Sequence, residues 1–172
     1  MFTDPTKNLK MLGLRETDIV ADLGAGTGFY TIALSSLVPR GKVYAIEVVK
    51  DFLETIRNKA KEKKLNNIET LVGNIEKSGG TKLGDSVVDA VVASNVLFEV
   101  EDKDSFVKEI NRILKHKGKL LLIDWSPDSL LINTGITVPK EQARAMFKNK
   151  GFVLDREIDA GSHHYGMIFI KE

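Results

Sequence analysis

The sequence predicts a doubly wound α/β fold: a parallel sheet with helices on both faces, closed by an antiparallel hairpin. Three observations carry this. Short apolar runs alternate five times with segments of helical spacing, a pattern that requires crossover connections and a parallel sheet. The first run passes through three alternating glycines into a helix, Val20-Ala21-Asp22-Leu23-Gly24-Ala25-Gly26-Thr27-Gly28-Phe29-Tyr30-Thr31. The last two runs are joined by a short turn, whereas a parallel pair needs about a dozen connecting residues or more.

The elements follow in chain order. Residues 1–17 form an arm with a short helix, with Leu9, Leu12 and Leu14 as apolar points and Gly13 as its stop. Ile19 to Leu23 is the first strand, apolar throughout as a strand covered on both faces should be. From Phe29 to Val38 the residues Ile32, Ala33, Leu37 and Val38 keep helical spacing, and Pro39-Arg40-Gly41 ends the helix. Val43 to Glu47 is the second strand. Asp51 to Lys64 is an amphipathic helix whose lysines form a solvated face. Ile68 to Val72 is the third strand, followed by Gly73-Asn74, and Val87 to Ala93 is the fourth. A helix over Lys103 to Leu114 stops at Lys117-Gly118, and Lys119 to Trp125 is the fifth strand. Residues 126–138 read as a loop over the substrate. Pro139 fits the first turn of a helix to about Asn149, ended by Gly151. Phe152 to Ile158 and Tyr165 to Ile170 are the final strands, within one domain spanning 1–172.

Composition bounds the function. With 25 basic against 24 acidic residues, net charge is +1, which argues against a nucleic-acid partner and offers no basic membrane surface. Without cysteine there is no disulfide, thiolate metal site or cysteine nucleophile. No apolar run approaches the roughly 20 residues of a membrane helix, and the first residues lack the regions of a signal peptide, so the expected location is cytoplasmic.

In a doubly wound sheet the ligand lies outside the carboxyl ends of the strands. Those ends carry Asp22 with Gly24 to Gly28, then Glu47, then Gly73-Asn74, then Ser94 to Phe98, then Trp125-Ser126. The glycine pattern is G-x-G-x-G rather than the G-x-G-x-x-G that brings a pyrophosphate to a helix N-terminus. An acid at position 47 can accept from two adjacent ribose hydroxyls, so the ligand is nucleoside-like. A nicotinamide-dependent oxidoreductase is the competing enzyme reading, disfavoured by glycine spacing and by the lack of a Tyr-x-x-x-Lys pair.

With these motifs the chain resembles a class I S-adenosylmethionine-dependent methyltransferase of the small UbiE-like, or type 11, group. Residues 20–28 match the family's first motif, Glu47 its ribose-binding acid, Asp89 to Ser94 its fourth-strand motif and Leu114 to Leu120 its helix-to-fifth-strand motif. The resemblance implies a Rossmann-like, three-layer, seven-stranded sheet of order 3-2-1-4-5-7-6, with strand 7 antiparallel. It also implies S-adenosylmethionine as cofactor, held by Asp22, Gly24, Ala25, Gly26, Gly28, Phe29, Glu47, Val48, Asn74, Ile75 and Asn95. Many relatives have aspartate at position 74, where it accepts from the adenine amino group; the Asn74 carbonyl is expected to do the same.

The acceptor is harder to read, because an activated methyl group needs little beyond in-line positioning and, for some acceptors, a base. The topology brings the 159–165 turn beside the pocket. His163, His164 and Tyr165 are therefore the candidates for catalysis, and Phe98, Trp125, His163, His164 and Tyr165 for the substrate pocket. No third ligand joins the two histidines, so no metal is expected. The segment Ser94-Asn95-Val96-Leu97 lacks the paired prolines and aromatic that amino-directed nucleic-acid methyltransferases use on a flipped base. A small-molecule acceptor is the expectation. A protein substrate and a cofactor-binding protein without turnover are the alternatives. With only a short arm and one loop to cover it, the pocket is open or completed by a second copy in a homodimer.

Overall fold

The computed structural model describes residues 4–129 and 136–172; residues 130–135, in the middle of the expected substrate loop, lie outside the described residues. The elements are α1 (Pro5–Lys10), β1 (Ile19–Leu23), α2 (Phe29–Leu37), β2 (Lys42–Glu47), α3 (Lys50–Glu62), β3 (Ile68–Val72), β4 (Val88–Ser94), α4 (Lys103–Ile113), β5 (Leu114–Trp125), α5 (Lys140–Lys148), β6 (Phe152–Ile158) and β7 (His164–Lys171). They build a seven-stranded sheet in the order β3-β2-β1-β4-β5-β7-β6, as the family resemblance implies. Strands β1 to β5 pair in parallel, and β7 runs antiparallel to both β5 and β6.

Several boundaries shift by a residue or two from the sequence reading, and two differences have a clear local cause. β5 begins at Leu114, opposite Val88, and pairing resumes only at Ala90 with Lys119. The stop at Lys117-Gly118 is thus a register shift inside the strand, with Lys117 at φ 62°, rather than a turn before it. Pro139 stands one residue outside α5, as its N-cap, because its ψ of 142° is extended.

Side chains alternate across a strand, and this sorts the core into two layers. Val20, Val43, Val92, Leu121, Ile123 and Ile168 meet Leu9 and Leu12 of the arm and Tyr30 and Leu34 of α2. Ala45 on the same side meets Leu53 and Ile56 of α3. On the opposite side, Leu23, Val91, Leu122 and Met167 pack under α4 and α5. α4 forms because Phe106, Val107, Ile110 and Ile113 share one stripe and the Asp102 carboxylate caps its start by accepting from the Ser105 N–H at 3.0 Å. Phe147, Phe152 and Phe169 stack beneath α5, the closest ring centroids 5.1 Å apart. Each is at most 1 % exposed, and such burial contributes about 1.5–3 kcal/mol per side chain. The arm is fixed to the body by buried Leu9 and Leu12 and by the Asn8 amide, which donates to the Tyr30 hydroxyl at 3.0 Å.

Candidate functional site

The carboxyl ends of β1, β2, β3, β4 and β5 and the amino end of β7 enclose two cavities that share Gly24, Gly26 and Asn95. The first, about 470 Å³, lies between Glu47 and the segment 73–76, with Val48, Val49, Phe52, Val96 and Val100 as apolar walls. The second, about 560 Å³, is bounded by Asp22, Ala25, Phe29, Tyr30, Trp125 and His164.

The glycine turn divides its labour. Gly24 and Ala25 donate their N–H groups to the Ile46 carbonyl at 3.0 and 3.1 Å, which draws the turn over β2. Gly26, at φ 52°, faces open space where a Cβ would meet nothing within 4 Å, and its N–H donates to Glu47 Oε2 at 3.0 Å. Gly28, at φ 88°, lines neither cavity. A Cβ there would stand 2.8 Å from Ile56, so this glycine lets α2 approach α3 and does not itself meet a ligand. Of the three, two serve the cavities and one serves packing.

Glu47 is almost buried, at 9 % exposed, and its other oxygen accepts from the backbone N–H groups of Val48 and Val49 at 2.8 and 3.1 Å. Three N–H groups therefore hold the carboxylate in one orientation and leave about one acceptor site, on Oε2, for a ligand hydroxyl. The Asn74 side-chain oxygen accepts from the Glu76 N–H at 2.9 Å within its own turn, so the carbonyl that is expected to meet the adenine amine already carries one hydrogen bond.

Asp22 and Asn95 stand where the cavities meet. Asp22 is 3 % exposed and accepts from the Thr31 hydroxyl at 2.6 Å. Burial pushes its carboxyl up to about 6, against the lowering effect of the Thr31 hydrogen bonds. Such a carboxyl gains from a cationic neighbour. Asn95 adopts φ 54°, which asparagine tolerates better than most residues, and leaves its side-chain oxygen buried without a partner among the described residues. Orphaned buried acceptors of this kind are uncommon and mark a place for a ligand's donor.

In the second cavity Trp125 on β5 lies opposite His164 on β7 in the ladder, and their rings stack at 4.2 Å between centroids. His164 is 8 % exposed, and neither ring nitrogen has a partner among the described residues. Burial, with His163 adding to it, pushes its pKa below the ordinary histidine range, so the imidazole is neutral. Across the cavity Phe29 and Tyr30 make an edge-to-face pair at 5.7 Å.

Strand alternation separates the residues that the sequence reading grouped. His164 points to the α2 side, together with Trp125. Tyr165, the next residue, points to the opposite side, where it joins the core beneath α4 and α5 with its hydroxyl buried and unpartnered. His163 lies outside the second cavity, with Nδ1 3.3 Å from the Ser129 hydroxyl. Phe98 lines neither cavity; its backbone N–H donates to Asp124 at 3.1 Å. Asp124, which the sequence reading missed, is 1 % exposed, binds the Trp125 N–H at 2.7 Å as well, and is pushed up to about 6 by burial. It ties the segment after β4 to the end of β5, and a lone acid in the run Leu120 to Trp125 was its signal. Tyr30 was also missed, since helical spacing alone assigns it to the core. Among the described residues no group of three or more His, Asp or Glu side chains could hold a metal ion.

The residues fit an S-adenosyl group: a pinned carboxylate for the ribose, apolar walls with Asn74 and Ile75 for the base, and Asp22 with the orphaned Asn95 oxygen for a cationic amino-acid end. The comparisons agree. A family model described as a methyltransferase domain matches residues 21–122. A demethylmenaquinone methyltransferase from Geobacillus sp. (strain WCH70) is 29% identical over 72% of this chain and 52% of its own length. A ubiquinone/menaquinone biosynthesis C-methyltransferase UbiE from Shewanella sp. (strain W3-18-1) is 32% identical over 69% of this chain and 47% of its own. The chain thus spans about half the length of these curated relatives. A solved SAM dependent methyltransferase from Aquifex aeolicus superposes with a TM-score of 0.90 at 28% identity, covering 99% of this chain and 91% of that one. With the motif, sheet order and cavities in agreement, the chain belongs to the methyltransferase-domain family, in its class I, UbiE-like group.

Proposed function

We propose that the chain transfers the methyl group of S-adenosylmethionine to a small, planar, hydroxylated acceptor held in the second cavity. The observation that carries this reading is the pair of cavities sharing Gly24, Gly26 and Asn95, one walled for a nucleoside and the other by Phe29, Tyr30, Trp125 and His164. Aromatic walls favour a flat ring through stacking. The names of the relatives from Geobacillus and Shewanella, which cite quinone substrates, support an acceptor of that kind.

When bound, the cofactor supplies a methyl group already activated on a sulfonium. The protein's part is positioning and one proton. Glu47 would hold the ribose, and Asp22 with Asn95 would hold the charged amino-acid end, which fixes the cofactor relative to the second cavity. Trp125 orients the acceptor ring. Neutral His164 accepts the proton that the acceptor loses as its new bond to carbon forms, and later returns it to water. Tyr165 has no part in this step, and His163 acts only through the 126–129 segment. Among the described residues no helix is long and apolar enough to cross a membrane.

Incubation with methyl-labelled cofactor and a panel of hydroquinones, catechols, aliphatic amines and a lysine peptide tests the proposal. Label should pass to the hydroxylated rings in preference to the amines and the peptide. Tight cofactor binding with no transfer to any acceptor would support a non-catalytic protein instead.

A further inference from the structure

We infer that Asn74 makes the cofactor seat nearly indifferent to the exocyclic amino group of the purine. This rests on the first cavity being the seat of the S-adenosyl group. With the ribose at Glu47, the base lies toward Asn74 and Ile75, and Asn74 is the neutral hydrogen-bonding side chain on that part of the wall.

The orientation of the Asn74 amide is fixed by chemistry. The Glu76 N–H can only donate, so the side-chain atom 2.9 Å from it must be the oxygen. The backbone of the same residue is closed as well. Its N–H donates to the Gly80 carbonyl at 2.9 Å, and its own carbonyl accepts from the Lys77 N–H at 3.3 Å. The backbone of the turn is closely packed, since a Cβ on Gly80 would fall 1.9 Å from the Asn74 backbone carbonyl oxygen. Glu76 is held in turn, its carboxylate accepting from the backbone N–H groups of Glu101 and Asp102. What residue 74 presents to a base is therefore an amide N–H₂, with a carbonyl oxygen that already carries one hydrogen bond. An exocyclic amine is a donor. At residue 74 it finds one shared, uncharged acceptor and one competing donor, so the net contribution of this residue to holding the amine is small. A carboxylate at this position would keep the Glu76 bond with one oxygen and turn the other, charged and unshared, to the amine.

The test is a set of four calorimetric titrations, with S-adenosylhomocysteine and its 6-deamino purine analogue, on the wild-type protein and on Asn74→Asp. The analogue keeps every ring nitrogen as it is in adenine and removes only the amine. The wild-type dissociation constants should agree within about threefold, whereas Asn74→Asp should bind the amino form about tenfold more tightly than the analogue, as a charge-assisted bond would give. A wild-type protein that prefers the amino form by tenfold or more would overturn the inference. So would indifference in both proteins, which would show that residue 74 does not face the amine. If neither compound binds the wild type, the seat itself is misplaced and the inference falls with it. The wild-type pair decides the question alone should the variant fail to fold.

Discussion

The two cavities differ in how they are made. The first is built by segments that directly follow their strands: the glycine turn after β1, Glu47 to Val49 after β2, and Gly73 to Glu76 after β3. Backbone N–H groups hold the Glu47 carboxylate at three points, so its geometry is over-determined. The second cavity shares the glycine turn and Asn95 and adds walls from α2, β5 and β7, elements far apart in sequence; the Asn95 oxygen and both His164 ring nitrogens have no partner among the described residues. The first seat is thus preorganised and the second awaits a ligand. A preorganised site binds tightly with little reordering, whereas unpartnered groups in a buried pocket acquire their bonds only when the substrate arrives.

Substitutions should divide along the same line. The largest effect is expected from His164→Gln, which keeps a polar side chain but removes the base: turnover of an accepted hydroxylated ring should fall about 100-fold, as loss of general-base catalysis gives. Calorimetry should find its affinity for S-adenosylhomocysteine within about twofold of wild type. Glu47→Ala belongs to the other cavity and should weaken cofactor-product binding about 10- to 100-fold, because a charge-assisted bond to the ribose is lost. Equal dissociation constants for variant and wild type would remove the acid from the seat.

Asp22 links the cavities through pH. Its carboxyl titrates at about 6 in the folded protein against 3.8 for an ordinary aspartate, so the folded state holds the proton more tightly than the unfolded chain. Stability should therefore fall as pH rises from about 4 to about 6, with Asp124 contributing in the same direction. Cofactor affinity should run the opposite way, rising severalfold over pH 5 to 7, since a cationic amino-acid end favours the ionised carboxylate. Asp22→Asn should flatten that affinity profile, which titrations at three pH values would show. The smallest effect is expected at Tyr165→Phe. It removes a buried hydroxyl without a partner, so thermal unfolding should show a stability unchanged or raised by up to about 1 kcal/mol, with normal turnover.

The same contrast explains what was legible in the sequence. Gly24, Gly26, Glu47 and Asn74 could be read because each sits at a fixed offset from a strand end, and the topology brings strand ends together. The glycine pattern alone could not tell that Gly28 serves Ile56 rather than a ligand, since close packing between two helices depends on tertiary approach. The acceptor cavity was legible only as a region. Proximity in sequence grouped His163, His164 and Tyr165, but the pleat sends adjacent strand residues to opposite faces, and the register of β7 against β5 decides that His164 is the one beside Trp125. Phe98 was misplaced for a related reason: it follows β4 in a loop whose path is set by Asp124 on the neighbouring strand.

Trp125 is the sole tryptophan, so its indole N–H gives one resonance that reports on the second cavity alone. In a ¹⁵N-labelled sample, S-adenosylhomocysteine should shift the backbone amides of Gly26, Val48 and Ile75 while the indole signal barely moves. A hydroxylated aromatic ring added next should shift the indole signal and leave the Val48 and Ile75 amides in place. An aromatic ring that shifts Val48 and Ile75 instead, or a cofactor product that displaces the indole signal as strongly as those amides, would contradict two cavities with separate occupants.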